Sequence, residues 1–166
     1  WMNGQYLMRM PAGEIYEHLV PFLGDDPPPL EAIRLLIEMY KSRGRTLREV
    51  AGQMRTFFAS DEDVEYEAEA VAKYVKGDDL TTRMTDLMDA FASVEPFDVS
   101  TAEQALRGVA DSRGLAAGKY IHPLRVALTG KLSSPPIFDV AFALGKERSL
   151  RRLQRLIDRL PALLSQ

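Results

Sequence analysis

The sequence predicts an all-α protein made of two small packed helical subdomains, residues 1–59 and 60–166, and three observations lead there. Apolar residues recur at helical spacing through most of the chain. Alternating runs of β-branched residues, the mark of strands, are missing. Composition swings from basic to acidic around Ala59-Ser60-Asp61, which marks a boundary.

Taken in order, the elements follow from stripes and punctuation. In "PPPLEAIRLLIEMYKSRG", Leu30, Ile33, Leu36, Ile37 and Tyr40 form one apolar stripe. Gly44 ends that helix, with Arg43 in its last turn, where the helix dipole favours a cation. Thr46 is the next N-cap and "TLRE" a capping box with Glu49, so Arg43 and Arg45 sit at the tip of a very short link. Lys76-Gly77 and Arg113-Gly114 are helix ends, and Ser100 with Glu103 is a second capping box. The methionines Met8, Met10, Met39, Met54, Met84 and Met88 read as core filler.

The stretch "YIHPLRVALTGKLSSPPIF" is the least ordinary. Proline suits the first turn of a helix and not its interior, so a helix is expected from Pro123 to Gly130, with His122 extended before it. Arg125 then falls in the first turn, among free backbone N–H groups that attract anions. Another helix start is expected at Ser134-Pro135, and Gly145 closes the helix of Ile137, Val140, Ala141 and Leu144. The last helix, "RSLRRLQRLIDRL", puts Leu150, Leu153, Ile157 and Leu160 on one face and Arg151, Arg155 and Arg159 on another.

The 166 residues are 46% apolar, enough for a core, and contain no cysteine. Disulfides and thiolate metal sites are therefore excluded, in keeping with a reducing cytosol. No stretch has the length of a membrane span or the form of a signal peptide. A start on Trp1 suggests a piece of a longer chain. Net charge is only −3, yet it is unevenly spread. Lys41, Arg43, Arg45, Arg48 and Arg55 face Glu49 alone, and Lys146, Arg148, Arg151, Arg152, Arg155 and Arg159 face only Glu147 and Asp158. Between them Asp61, Glu62, Asp63, Glu65, Glu67, Glu69, Asp78 and Asp79 outweigh Lys73 and Lys76. Such a surface can receive a polyanion on one side.

Catalytic signatures are missing: there is no P-loop, no Gly-x-Gly-x-x-Gly, no Gly-x-Ser-x-Gly and no zincin motif. No catalytic or metal-binding residue is assigned, since His18 and His122 are too few and too far apart in sequence. His18 is read as a surface residue, His122 as a pre-proline linker beside a binding surface, and the Asp61–Glu69 run as a solvated helix face. Arginines at helix ends have a bland reading as dipole partners and a sharper one as an anion-binding surface.

Three strings carry a resemblance: "WMNGQYL" at 1–7, the "YKSRGRTLRE" turn at 40–49, and "GKYIHPLRVALTGKLSSPPIFDVAFALGKERSLRRL" at 118–153. Together they resemble the C-terminal anticodon-binding part of bacterial-type glutamyl-tRNA synthetase. The resemblance implies a helical anticodon-binding cage, cytoplasmic and monomeric. Its partners would be tRNA-Glu, with tRNA-Gln left open, and a catalytic domain upstream in the same chain, with no membrane involved. The family's HIGH motif and lysine loop are missing from this chain, so it would be non-catalytic by itself and hold no cofactor. ATP and Mg2+ would belong to the parent enzyme.

Carried over by residue, the resemblance makes Arg43 the reader of the first anticodon base and Arg125 an anticodon contact. Thr129, Ser134, Pro135, Ile137 and Phe138 would pack around the other anticodon bases. Lys41, Arg45, Lys131, Arg151 and Arg155, with Arg152, are candidate phosphate contacts. Pro136 stands where the family commonly has glycine, and Gly44-Arg45 lies in a turn that varies. RNA reading by splayed bases suits arginine, whose flat fork both stacks and donates. The competing reading is a helical protein–protein interaction module without RNA binding, which requires an exposed apolar groove. An enzyme in its own right is disfavoured by the missing signatures.

Overall fold

Caps and glycines cut the chain into short helices, and the apolar stripes decide which faces meet. The computed structural model describes residues 4–23, 29–58 and 60–165. Trp1 to Asn3, Pro27-Pro28 and Ala59, used above, lie outside the described residues, as does the side chain of Arg55. The chain divides into two compact units, Trp1–Ala59 and Ser60–Gln166. Among the described residues there is no strand, and no helix is long and apolar enough to cross a membrane.

The first unit holds α1 (Gly4–Arg9), α2 (Ala12–Leu23), α3 (Leu30–Tyr40) and α4 (Leu47–Phe58). Helices α2, α3 and α4 pack against one another in all three pairings. The expected stripe of α3 is the buried one: Ile33, Leu36, Ile37 and Tyr40 join Ile15 and Leu19 of α2 and Val50, Met54 and Phe57 of α4. Tyr40 meets Phe57 edge to face at 5.6 Å, a preferred aromatic geometry that fixes the end of α3 against α4. Each such aliphatic side chain contributes about 1.5–3 kcal/mol on full burial. His18 is exposed, as expected, whereas Met8 is half-exposed and not core.

The second unit holds α5 (Ala68–Tyr74), α6 (Leu80–Ser93), α7 (Val99–Ser112), α8 (Gly118–Thr129), α9 (Ile137–Leu144) and α10 (Lys146–Leu164). Helix α10 packs along α6, α8 and α9; α7 lies on α6 and α9, and α5 on α8. Leu87, Phe91, Leu106, Leu124, Val140, Leu153 and Leu156 are fully buried between them.

Several expectations are corrected here. The cap of α7 is Asp98, not Ser100: its carboxylate accepts from Thr101 N–H at 2.9 Å and Thr101 Oγ1 accepts from Asp98 N–H, because Thr completes the box as well as Glu does. Glu103 is left to pair with Arg107 one turn on, at 2.7 Å. Residues 61–67 are not a helix face, since α5 begins only at Ala68. The buried face of α10 is Ser149, Arg152, Leu153, Leu156 and Leu160, while Leu150 and Ile157 are half-buried.

Candidate nucleic-acid interface

In the first unit the arginine turn is shaped by a glycine. Helix α3 stops at Tyr40, and Arg43 N–H and Gly44 N–H both return to the Tyr40 carbonyl, at 2.9 and 3.2 Å. Arg43 thus lies in a tighter turn beyond the helix, not in its last turn. Gly44 is buried, and a Cβ there would sit 2.5 Å from Val50 Cγ2. Glycine thus lets α4 close onto this turn without displacing Val50.

Thr46 caps α4, its Oγ1 accepting from Glu49 N–H at 3.2 Å. Glu49 reaches back one residue further than a standard box, to Arg45 N–H at 2.8 Å. Arg43 and Arg45 are exposed and, among the described residues, have no carboxylate partner. Burial pushes the Tyr40 hydroxyl up to about 12 against the opposing charge of Arg43. Lys41 is engaged: it pairs with Glu38 at 2.6 Å and donates to the Met10 carbonyl.

In the second unit the proline rule fails in an instructive way. Helix α8 begins at Gly118, five residues before Pro123, which is buried inside it. His122 is accordingly helical, not extended, and Arg125 sits in the helix body, away from free amides. The proline costs the bond to the Lys119 carbonyl, and Arg83 from α6 replaces it by donating through Nη1 to that same oxygen. Arg83 is 5% exposed, donates also to the Lys76 carbonyl, and pairs with Asp79 at 3.0 Å.

Arg125 is half-buried, and its Nε donates to Ser134 Oγ at 3.0 Å. Among the described residues no carboxylate pairs with it. Two residues singled out from sequence are therefore brought together, and the fork of Arg125 is anchored at one end. The loop that carries Ser134 is itself held. Gly130, at φ +71°, has its carbonyl against Glu67 N–H, and the Glu67 carboxylate takes Leu132 N–H at 2.8 Å and the Lys131 ammonium at 3.1 Å.

Thr129, Pro135, Ile137 and Phe138 are buried, and Thr129 Oγ1 donates to the Arg125 carbonyl while accepting from Lys131 N–H. Their side chains therefore lie largely below the surface, next in sequence to Arg125 and Ser134. Helix α9 starts at Ile137 rather than at Ser134-Pro135, because Pro136 is the last extended residue before it.

The terminal arginines serve the fold. Asp61 binds Arg152 at 2.7 Å, Arg151 at 2.9 Å and Arg148 at 3.1 Å. Arg152 is 1% exposed and also donates to the Leu128 carbonyl. Arg155 donates to the Val64 carbonyl at 2.6 Å, and both Arg155 and Arg159 lie over the Tyr66 ring. Arg151, Arg152 and Arg155, expected at phosphates, thus already have protein acceptors. Asp61 was hidden from sequence reasoning inside a charged run; the basic α10 facing an acidic segment was the available signal.

Sequence reasoning also missed the pairing of His122 with Tyr74, stacked at 4.4 Å and 5°. Burial, with the charges of Arg125 and Lys73, lowers the His122 pKa below its usual value. Among the described residues, no three His, Asp or Glu side chains gather as a metal site.

The profile of the anticodon binding domain family matches residues 14–157. The chain belongs to that family. Glutamate–tRNA ligase 2 of Thermoanaerobacter pseudethanolicus is 30% identical over 164 residues, covering 95% of this chain and 34% of the relative. The glutamate–tRNA ligase of Thermus thermophilus is 34% identical over 161 residues, covering 95% of this chain and 33% of the relative. The chain thus spans about a third of the length of these curated relatives. In fold it is similar to a crystal structure of a glutamate tRNA ligase from Elizabethkingia meningosepticum, with a TM-score of 0.86 at 24% identity over 95% of this chain and 31% of that one. The all-α anticodon-binding architecture stands on these likenesses together with the helices described above.

Proposed function

We propose that this chain is the anticodon-binding part of a glutamate–tRNA ligase and that its ligand is the anticodon loop of tRNA-Glu. ATP, Mg2+ and glutamate would be handled by a catalytic domain outside this chain. The observation that carries the reading is the state of Arg125. A guanidinium anchored through Nε to Ser134, half-buried and without a carboxylate among the described residues, is a donor fork held ready for an acceptor. Arg43 offers a second unpaired fork on the cramped Gly44 turn.

Unstacked loop bases present such acceptors on their edges, and arginine recognises them by paired hydrogen bonds or by stacking. Of the proposed phosphate contacts, Arg45 and Arg155 have no carboxylate partner among the described residues, and Arg155 already donates to the Val64 carbonyl; Lys41, Lys131 and Arg151 are ion-paired. The test is a gel-shift titration of this chain with tRNA-Glu, tRNA-Gln and an unrelated tRNA, with wild type and Arg125→Ala. Selective retention of tRNA-Glu that Arg125→Ala weakens supports the reading. Equal affinity for all three, unchanged by the substitution, would refute it.

A further inference from the structure

A cavity of about 300 Å³ opens in the second unit between the end of α5 and the start of α8, lined among others by Lys73, Tyr74, Lys76, Lys119, His122 and Pro123. We propose that it takes one ribonucleotide, with the base against the Tyr74 and Pro123 wall and the phosphate among the three lysines. Choosing a ribonucleotide over another flat anion rests on the anticodon reading above.

The lysines make the case. The chain has six, and three of them, Lys41, Lys131 and Lys146, are tied to Glu38, Glu67 and Glu95. The other three, Lys73, Lys76 and Lys119, are exposed, have no carboxylate partner among the described residues, and all line this one cavity. No Asp or Glu is among the lining residues. Arg83 also lines it, but its charge is offset by Asp79 at 3.0 Å. Unpaired like charges gathered around one hollow repel each other, and an incoming anion relieves that repulsion.

Shape and chemistry agree with a nucleotide. The volume is at the small end of ligand clefts, suited to one small molecule or one residue of a strand and not to a helix. Tyr74 stacks on His122 at 4.4 Å and 5°, with Lys73 Nζ 5.4 Å from its ring centroid, so an aromatic pair and a cation already line the hollow before any ligand arrives. The wall is also rigid where it matters. Arg83 ties the Lys76 carbonyl to the Lys119 carbonyl, which holds the two lysine-bearing segments on either side of the hollow. His122 and Arg125 are one turn apart on α8, so the cavity adjoins the helix that carries the proposed base reader.

The test uses the 166-residue chain and four probes: AMP, UMP, the nucleoside adenosine and inorganic phosphate, followed by NMR. The nucleotides are expected to shift the His122 ring and the lysine ε-methylene signals saturably, and to raise the His122 titration midpoint. Adenosine and phosphate should each act more weakly. Lys73→Gln with Lys119→Gln should weaken nucleotide binding about tenfold or more, and the arginine versions should restore it. Unshifted His122 signals, or a response that survives the double glutamine variant, would overturn the proposal.

A stem-loop RNA of tRNA-Glu separates this idea from the anticodon reading. If Arg125→Ala weakens stem-loop binding while the glutamine variant leaves both affinity and salt slope unchanged, the cavity proposal fails and the reading stands. If the cavity binds nucleotides and the stem-loop does not bind, the reading fails and the cavity site stands. If both are right, the salt slope falls by about one unit for each phosphate that the replaced lysines neutralise.

Discussion

Arg83 supplies the hydrogen bond that Pro123 removes. Proline at position 123 has no N–H to give the carbonyl four residues earlier, and Arg83 Nη1 donates to that carbonyl, Lys119 O, from a neighbouring helix. The pair explains how a buried proline survives in the middle of α8, and it makes an expensive backbone defect into a tie between α6 and α8.

This pairing predicts a coupling. Arg83→Met leaves the Lys119 and Lys76 carbonyls without their donor and should cost about 2–3 kcal/mol of stability. Pro123→Ala restores an N–H to the helix, so in that background the same substitution should cost about 1 kcal/mol less. Urea midpoints of the four proteins measure the cycle. Strict additivity of the two single changes would show that the arginine does not stand in for the proline's missing donor.

Asp61 carries the second prediction. Burial by itself pushes its carboxyl up, but hydrogen bonds from Arg152 and Arg151 and the charge of Arg148 outweigh that, and its pKa ends below the ordinary value. A carboxyl lowered on folding stabilises the fold fully above its unfolded-state pKa, and that contribution fades as pH falls through the folded-state value. Asp61→Asn removes the carboxylate charge that Arg152, 1% exposed, binds at 2.7 Å and should cost about 3 kcal/mol at neutral pH. The variant should also lose part of the acid limb of a stability-versus-pH curve. An acid limb identical to wild type would assign the effect to other carboxylates.

The glycines give a third. At Gly130 a Cβ would lie 1.9 Å from the Glu65 carbonyl oxygen, and φ is +71°, so steric clash and left-handed strain act together. Gly130→Ala should cost about 3 kcal/mol or more and loosen the loop that presents Ser134. Gly44→Ala meets a side chain, Val50 Cγ2 at 2.5 Å, and should be milder, about 1–2 kcal/mol, while shifting Arg43. Thermal melts rank the two. Gly44→Ala as damaging as Gly130→Ala would mean that the first turn is the stiffer of the pair.

These sites also show what the sequence could and could not convey. The stripe Ile33, Leu36, Ile37 and Tyr40 and the closing Gly145 were legible because periodicity and left-handed caps are local properties. The start of α8 was not, because the offset for Pro123 comes from Arg83, forty residues away in sequence. The cap of α7 was misplaced by two residues because Asp98 and Ser100 are equally good cap types. Arg125 and Ser134 could be picked out as unusual, but burial of Thr129, Ile137 and Phe138 depends on the neighbouring helices that α8 and α9 pack against, which no local pattern reports. Arg151 and Arg152 looked alike as letters; only the fold buries one and leaves the other at the surface, both on Asp61.

Binding gives the last prediction, and two substitutions at one pair of residues make it specific. If Arg125 reads a base with its terminal nitrogens while Nε rests on Ser134, then Arg125→Ala should cost about 1–3 kcal/mol of stem-loop affinity and relax selectivity at one anticodon position. Ser134→Ala removes only the rest, so the fork keeps its charge but loses its aim, and about 0.5–1.5 kcal/mol should go. A phosphate ligand behaves differently, since removing one weakens every tRNA alike and lowers the salt slope by about one unit. A conservative change offers a further check: Arg125→Lys keeps charge without the planar fork and should still lose the selectivity, with the salt slope unchanged. Filter binding of tRNA-Glu and single-base anticodon variants, at several salt concentrations, resolves these cases. A uniform loss across all variants with Arg125→Ala would make Arg125 a phosphate ligand, and the base-reading role would have to be given up.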